Sequence, residues 1–425
     1  MQPSRKSITD LVLHLHPRTI PSRTLRFTLS WGLGGMAVML VGLLFVTGIL
    51  LLTVYAPSIG QAYDSVLFLS RSTTFGPWVR NIHHASANLL VVVAMLHLLR
   101  VALTGAFGPS RRLNWIVGLC LLFLVLAANF TGYLLPWDQL AYWAVTISTS
   151  MLAYIPLAGD GLRQFFLGGD EIGPATLANF HVLHVAVIPG SLLVLLGWHF
   201  WLVRRAGGLA RQDSEGAGEE RVPVMPDLLM REAAVGLGLA AFVLLLAMVW
   251  DAPLLEQANP GMSPNPTKAP WYFQGFQELL LHLHPMYAVL VWPLLGVAAL
   301  VLVPFWKDSA LPGGVWFGSR NGWRLAVLGL LAGALPTMAA ILLDELAQTP
   351  GATSAGDIMP TRGLLPTLAL AAYPAGMYLL LTRMFRRSRA EGVMFCLLML
   401  FAAMLICTMV GVWSRGAEMR LVCPW

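Results

Sequence analysis

The chain has 425 residues, 57% of them hydrophobic and only 11% charged, and its mean hydropathy is +0.70. Soluble domains carry roughly 25% charged residues, so this composition excludes a soluble fold and calls for a bilayer. The net charge of +6 resides in loop arginines and reads as membrane topology, not as a nucleic-acid surface; no nucleic-acid partner is expected.

In chain order, stretches long enough to span about 30 Å of hydrocarbon are expected near Leu29–Tyr55, Val79–Leu103, Leu113–Tyr133, Leu177–Val203, Ala233–Trp250, Met286–Phe305, Leu325–Leu343, Leu364–Leu381 and Val393–Trp413. The fold class is therefore an all-α integral membrane protein of about nine transmembrane helices. Every second connection is basic: Arg5, Lys6, Arg18, Arg23 and Arg26 lead in, Arg111 and Arg112 follow the second span, and Arg204, Arg205, Arg211 and Arg221 follow the fourth. Lys307, Arg320 and Arg324 follow the sixth, and Arg383, Arg386, Arg387 and Arg389 the eighth. Positive charge stays inside, which puts the N-terminus inside and the C-terminus outside. The first apolar run begins near Phe27 and is too long for a cleaved signal.

One polar linker, residues 206–227, separates a four-helix N-terminal half (1–205) from a C-terminal region (228–310) and additional helices (311–425). Cys120, Cys396, Cys407 and Cys423 are scattered and form no Cys-x-x-Cys. No disulfide framework, zinc site or covalent c-type haem is expected from them.

The histidines carry the chemistry. His83 and His97 lie fourteen residues apart on the second span, which at 100° per residue falls about 40° short of four turns and covers roughly 21 Å. His184 and His199 lie fifteen apart on the fourth, sharing a face within about 60° over roughly 22 Å. Both spans run from outside to inside, so His83 pairs in depth with His184, and His97 with His199. Two facing imidazole pairs inside a bundle suit two bis-histidine haems, and ionisable groups at such depth are functional by default. A lone membrane histidine ordinarily bonds a neighbouring helix. That reading serves for His84, which has no partner at the right spacing. His181 also returns to the face of His199, and depth matching alone favours His184. Gly34 and Gly48 on the first span, and Gly118 and Gly132 on the third, repeat the fourteen-residue interval. Glycine lets a flat macrocycle approach the backbone.

With these residues in view, the chain resembles cytochrome b of the cytochrome bc and bf complexes. The resemblance rests on "RNIHHASANLLVVVAMLHLLR", "TGYLLPWDQLAYWAV", "FHVLHVAVIPGSLLVLLGWHFWLVRR" and "NPTKAPWYF", which together cover about residues 20 to 305. It implies a bf-like haem-binding half fused to a subunit-IV-like half. It also implies His83 and His184 as iron ligands of an outer, low-potential b-type haem, and His97 and His199 of an inner, high-potential one. Arg80 and Arg100 stand where the family pairs arginine with haem propionates. The implied activity is quinol oxidation near the outer face, in a pocket bordered by "TGYLLPWDQLAYW" and "APWYF". One electron would pass to a Rieske iron–sulfur protein and the other through both haems to quinone near the inner face, with proton translocation. A c-type cytochrome, a homodimeric core and a bacterial cytoplasmic membrane complete the implication. Arg204 is either an inner quinone-site residue or a positive-inside anchor.

Departures from the pattern are specific. The bf type carries a cysteine that anchors an extra haem where this chain has Gly32, so no such covalent haem is expected. The ninth span and the tail "AEMRLVCPW" match no part of the family's pattern. The family's Pro-Glu-Trp-Tyr reads Ala269-Pro270-Trp271-Tyr272, which removes the usual proton acceptor beside Tyr272. Glu278 and His282, one helical turn apart, form a candidate substitute relay; the alternative is a carboxylate and histidine at the membrane edge. Two other functions stay open: a dihaem anchor joining the quinone pool to a peripheral oxidoreductase without bifurcation, and a transporter using the histidines as a proton relay.

Overall fold

In this computed structural model residues 18–209, 220–347 and 360–423 are described; Arg5, Lys6, Arg211 and the middle of the polar linker lie outside them. The helices are α1 Leu33–Leu52, α2 Ala62–Ser72, α3 Gly76–Leu103, α4 Arg112–Leu134, α5 Gln139–Leu152 and α6 Gly159–Leu167. Then come α7 Pro174–Arg205, α8 Leu229–Val249, α9 Gln274–His282 and α10 Tyr287–Phe305. Last are α11 Gly322–Ala347, α12 Arg362–Met384 and α13 Arg389–Trp413. Among the described residues nine helices are long and apolar enough to cross a membrane, namely α1, α3, α4, α7, α8 and α10 to α13. All nine expected spans are present, with ends moved by a few residues. The strands β1 (Thr19–Pro21) and β2 (Arg221–Pro223) form one short antiparallel pair.

Helix ends follow local chemistry. Pro77 sits in the first turn of α3, where a missing N–H costs nothing. The Asp138 carboxylate accepts from Ala141 N at 2.9 Å to cap α5. Ser388 and Glu391 form a reciprocal capping box on α13.

Three of the five π turns among the described residues share one setting: Leu183–Val187, Tyr287–Val291 and Pro360–Leu364. Each ends two residues before a proline: Pro189, Pro293 and Pro366. Proline has no N–H, and its ring meets the carbonyl four residues back; an extra residue in the preceding turn relieves that clash while the chain stays helical. The π turn in α7 begins one residue before His184. One added residue makes the fifteen-residue His184–His199 interval equivalent to fourteen regular ones, about 1400° and roughly 21 Å. That equals the interval in α3 and removes the angular mismatch expected of a regular helix.

The described chain divides by contacts into two units. The first comprises the described residues within 18–136, 180–254 and 310–318, and the second those within 137–179, 255–309 and 319–423. In the first, α1 packs along α3, α4 along α7, and α8 against both α1 and α3. In the second, α11 and α13 form the main pair, with α9 and α12 also laid on α13. The α11–α13 approach is set by Gly329 and Gly333, a small-x-x-x-small spacing. A Cβ on Gly333 would stand 2.0 Å from the Met399 carbonyl oxygen, and one on Gly329 2.9 Å from that of Phe395. Backbone on the far side leaves no flexible atom to yield. Gly333→Leu is therefore expected to cost more than the ~1–3 kcal/mol of ordinary overpacking, seen as a large drop in the detergent melting temperature; Gly376→Leu, whose Cβ meets open space, should leave it unchanged.

Candidate functional site

Helices α3 and α7 bring four imidazoles together in two layers. The His83 and His184 ring centroids are 6.3 Å apart and the His97 and His199 centroids 6.4 Å apart, each pair at an interplanar angle of 72°. A metal bound by two imidazole nitrogens at about 2 Å each needs centroids roughly 6 Å apart. Both layers meet that demand with the same geometry. His181 turns elsewhere and stacks on Tyr55 at 5.6 Å. The second ring on this run, His84, lies 3.2 Å from the amide of Asn88 on its own helix.

The free nitrogen of each first-layer ring is decided by its neighbours. Thr47 donates its hydroxyl to the Leu43 carbonyl at 2.6 Å, so the oxygen left to His83 Nδ1 at 2.9 Å is an acceptor. His184 Nδ1 donates to the Ala128 carbonyl and to Thr131 Oγ1, both at 3.1 Å, and Thr131 spends its own proton on Ala127. Nδ1–H is thereby fixed on both rings, which leaves Nε2 with its lone pair for a metal. Thr47 and Thr131 were not singled out from sequence. Their signal was available as Thr47-Gly48 and Thr131-Gly132, the same dipeptide on the two helices beside the histidine helices. In the second layer the equivalent positions are Leu33 and Val117, which bring no hydroxyl.

The four glycines do face the paired imidazoles, and they make room for the rings directly. An ideal Cβ on Gly34 would meet His97 Cε1 at 3.8 Å, on Gly118 His199 Cε1 at 3.8 Å, and on Gly48 His83 Cε1 at 3.4 Å. On Gly132 it would meet His184 Cε1 at 2.6 Å. The missing side chain thus admits an imidazole edge, in addition to any macrocycle. Gly32, where the bf type has its cysteine, has φ +64° and would place a Cβ 2.9 Å from Val235 Cγ1, so glycine is demanded by the backbone and by α8.

Of the two arginines bracketing the α3 histidines, Arg100 is 4% exposed, donates Nε to the Leu29 carbonyl at 2.8 Å and keeps a buried Nη2 with no hydrogen-bond partner. A buried, unspent guanidinium nitrogen calls for an anion such as a carboxylate. Arg80 donates to the carbonyls of Ala252 and Pro253. Arg204 is exposed at the end of α7.

A family model described as cytochrome b/b6/petB matches residues 20–207. Cytochrome b6 of Prochlorococcus marinus (strain MIT 9515) is 36% identical over 203 residues, 48% of this chain and 92% of that protein. Cytochrome b6 of Synechococcus sp. (strain JA-3-3Ab) is 39% identical over 203 residues, 48% of this chain and 93% of that protein. The chain belongs to the cytochrome b/b6 family. A solved chain titled "Hyperthermophilic respiratory Complex III" has the same fold, with a TM-score of 0.68 at 22% identity, covering 96% of this chain and 97% of that one. The likeness in fold thus runs well past the sequence match into the C-terminal helices. Membership in the cytochrome b/b6 family carries b-type haem binding, and the residues present fit that group: paired imidazoles at metal-spanning distance, the His83 and His184 tautomers fixed toward Nε2, glycine at the ring edges and a buried arginine nitrogen awaiting an anion.

The second unit contains the other candidate residues. Tyr272 is buried in the short 3-10 turn Trp271–Phe273. The preceding strap is held by α9, with Gln277 Oε1 accepting from Ala269 N at 2.7 Å and its Nε2 donating to Thr267 O at 2.7 Å. Glu278 is fully buried, which removes the reading of a carboxylate at the membrane edge. Arg415, just past α13, grips it through Nη2–Oε1 at 2.6 Å and Nε–Oε2 at 3.0 Å. His282 Nε2 lies 3.1 Å from Glu278 Oε1, and its Nδ1 2.6 Å from Asp344 Oδ2 of α11. Glu345 accepts from Arg415 Nη1 at 3.1 Å. Nothing in the residue spacing reveals Asp344, Glu345 or Arg415 as partners, because they come from two distant helices.

Burial pushes the Glu278 carboxyl up, but the hydrogen bonds and charges of His282 and Arg415 outweigh it and leave it below its ordinary value. Burial pushes His282 down, and the bonds and charges of Glu278 and Asp344 outweigh that, leaving it raised.

The ligand assignment and the charged cluster can each be tested. His184→Ala should abolish one b-type absorption component while His181→Ala retains both; the reverse pattern in reduced-minus-oxidised spectra would reassign the ligand. The charged cluster should stabilise the fold only between two limits. Glu278, lowered, contributes above the ordinary carboxyl range and loses this as pH falls through its folded value; His282, raised, contributes below about 6.5 and loses this as pH rises through its folded value. Melting temperature against pH should show both limbs, and His282→Gln should flatten the alkaline one.

Proposed function

We propose that this cytochrome b/b6-family chain is the dihaem subunit of a quinol-oxidising electron-transfer complex. His83 and His184 would hold an outer haem and His97 and His199 an inner one, with the N-terminus inside. The observation that carries the reading is the repetition of one imidazole-pair geometry in two layers, at 6.3 and 6.4 Å and the same 72°. When bound, the haems accept and donate single electrons; the protein's part is to hold, orient and insulate them. Thr47, Thr131 and the Ala128 carbonyl fix the outer imidazoles, and Arg100 would receive an inner propionate. Tyr272 would border the quinol-binding region, with Glu278 and His282 taking protons in place of the glutamate absent at Pro270. Arg204 would serve the inner quinone site. The N-terminal haem-binding half, the linker 206–227 and the C-terminal half would work with a Rieske protein and a c-type cytochrome around a homodimeric core in the bacterial cytoplasmic membrane.

Pro270 at the glutamate position favours one second reading, a non-bifurcating dihaem anchor for a peripheral oxidoreductase. Purification in mild detergent tests both: two haems per chain, reduction by quinol and a co-purifying Rieske protein support the main reading. A molybdenum or sulfur-metabolism enzyme in its place supports the anchor, and absence of b-type bands sinks both.

The hydroxyl bonds on the outer imidazoles make those rings better electron donors and should lower the potential of that centre. Thr47→Val should raise it by about 40 mV, the equivalent of ~1 kcal/mol for a one-electron couple, while the inner centre stays put. Optical redox titration reads both.

A further inference from the structure

We propose that Glu278, His282 and Asp344 form a relay that carries protons from the buried α9–α13 contact out to water. The proposal rests on the quinol-oxidising reading above and deepens it by naming the exit.

The three groups are joined without a gap: Glu278 Oε1 to His282 Nε2 at 3.1 Å, and His282 Nδ1 to Asp344 Oδ2 at 2.6 Å. Their side-chain exposure rises along the same line, from 0% at Glu278 to 14% at His282 and 33% at Asp344. An imidazole bonded through both nitrogens to carboxylates can take a proton on one side and release one on the other. An ion-pair clamp alone would need only Arg415, which is 1% exposed and already grips Glu278 through two nitrogens while reaching Glu345. His282 Nε2 also lies 3.3 Å from Arg415 Nη2, but the further bond from Nδ1 to Asp344 adds nothing to that grip.

Charge gives the cluster room for a proton. Among the described groups, the carboxylates of Glu278 and Glu345 bind one guanidinium and that of Asp344 binds the imidazole, so acidic groups outnumber basic ones in this cluster. Arg415 keeps Glu278 ionised, so a proton arriving there moves on to the ring. The step is proton transfer only. Glu278 Oε1 receives a proton and passes it to Nε2 of the neutral ring; the imidazolium gives its Nδ1 proton to Asp344, which releases it to water, and the ring turns over. One turn before Glu278 on α9, Gln274 Oε1 is buried with no partner, an acceptor on the buried side of the relay. Cys407 of α13 is the remaining titratable group whose charge couples to Glu278. The apolar residues Ile341, Cys407 and Val410, with Leu279 and Leu421 packed on them, close the flank to water, so the polar line is the open route.

The test is Asp344→Asn in the whole complex, because it spares every Arg415 contact. Quinol oxidation should slow roughly tenfold or more, and the pH limb that tracks His282 should move to lower pH, since removing one carboxylate lowers the imidazole. Proton release outside proteoliposomes should lag electron transfer. Haem spectra should hold, the melting temperature should hold above the His282 limb and fall only below it, and Asp344→Glu should restore rate and limb. Glu345→Gln, in the same cluster but off the relay, should leave the pH profile unchanged. If Asp344→Asn does not assemble, His282→Gln should slow oxidation to the same degree and abolish the limb instead of moving it. Wild-type rate and profile in these variants would overturn the relay alone, as would a pH-independent loss that tracks melting temperature. A wild-type complex whose haems quinol cannot reduce would overturn the relay together with the reading beneath it.

Discussion

The imidazoles of two helices must meet in two layers of one geometry, with ring centroids 6.3 and 6.4 Å apart at the same 72°. In this protein that requirement governs the first unit. It fixes which faces of α3 and α7 look inward, and it asks α1 and α4 for glycine where the rings swing past. It asks for threonine beside His83 and His184, where those rings must be kept from rotating. None of these residues is chosen for helix propensity; glycine and threonine are both poor helix formers. They are retained at the points where a ring edge or a ring nitrogen needs them.

Much of this was legible in the sequence, for identifiable reasons. Spans in a bilayer are announced by composition over about twenty residues, so all nine appeared with only their ends displaced. Histidine intervals on a helix convert to angle and depth by arithmetic alone, so His83, His97, His184 and His199 could be paired before any coordinates. The glycines could be tied to the site by their interval, though not to the histidine edges they accommodate. Contacts between helices far apart along the chain could not be read. Glu278 stayed open between a relay and a surface carboxylate, because amphipathic spacing says which side of α9 it occupies and nothing of what covers that side. Its cover is α13, and its partners Arg415, Asp344 and Glu345 lie at the ends of two helices remote in sequence.

The two units solve different electrostatic problems. The first buries its paired imidazoles and leaves a buried nitrogen of Arg100 without a hydrogen-bond partner, a place for an anion. The second gathers full charges at helix ends and neutralises most of them among themselves. Buried ion pairs contribute little net stability compared with apolar packing of the same volume. Their presence among Ile341, Val410 and Leu279 therefore argues for a use beyond cohesion.

The π turn before Pro189 has a consequence for how such chains are compared. Residue count and spatial interval part company there: one residue is inserted into α7, yet His199 keeps its depth along the helix axis. A pattern that demands equal numerical spacing on both ligand helices would reject this chain, while one indifferent to spacing would accept His181 as readily as His184. The proline two residues beyond the bulge is the visible marker that tells the two cases apart. It turns an apparent irregularity in the ruler into a unit of measurement.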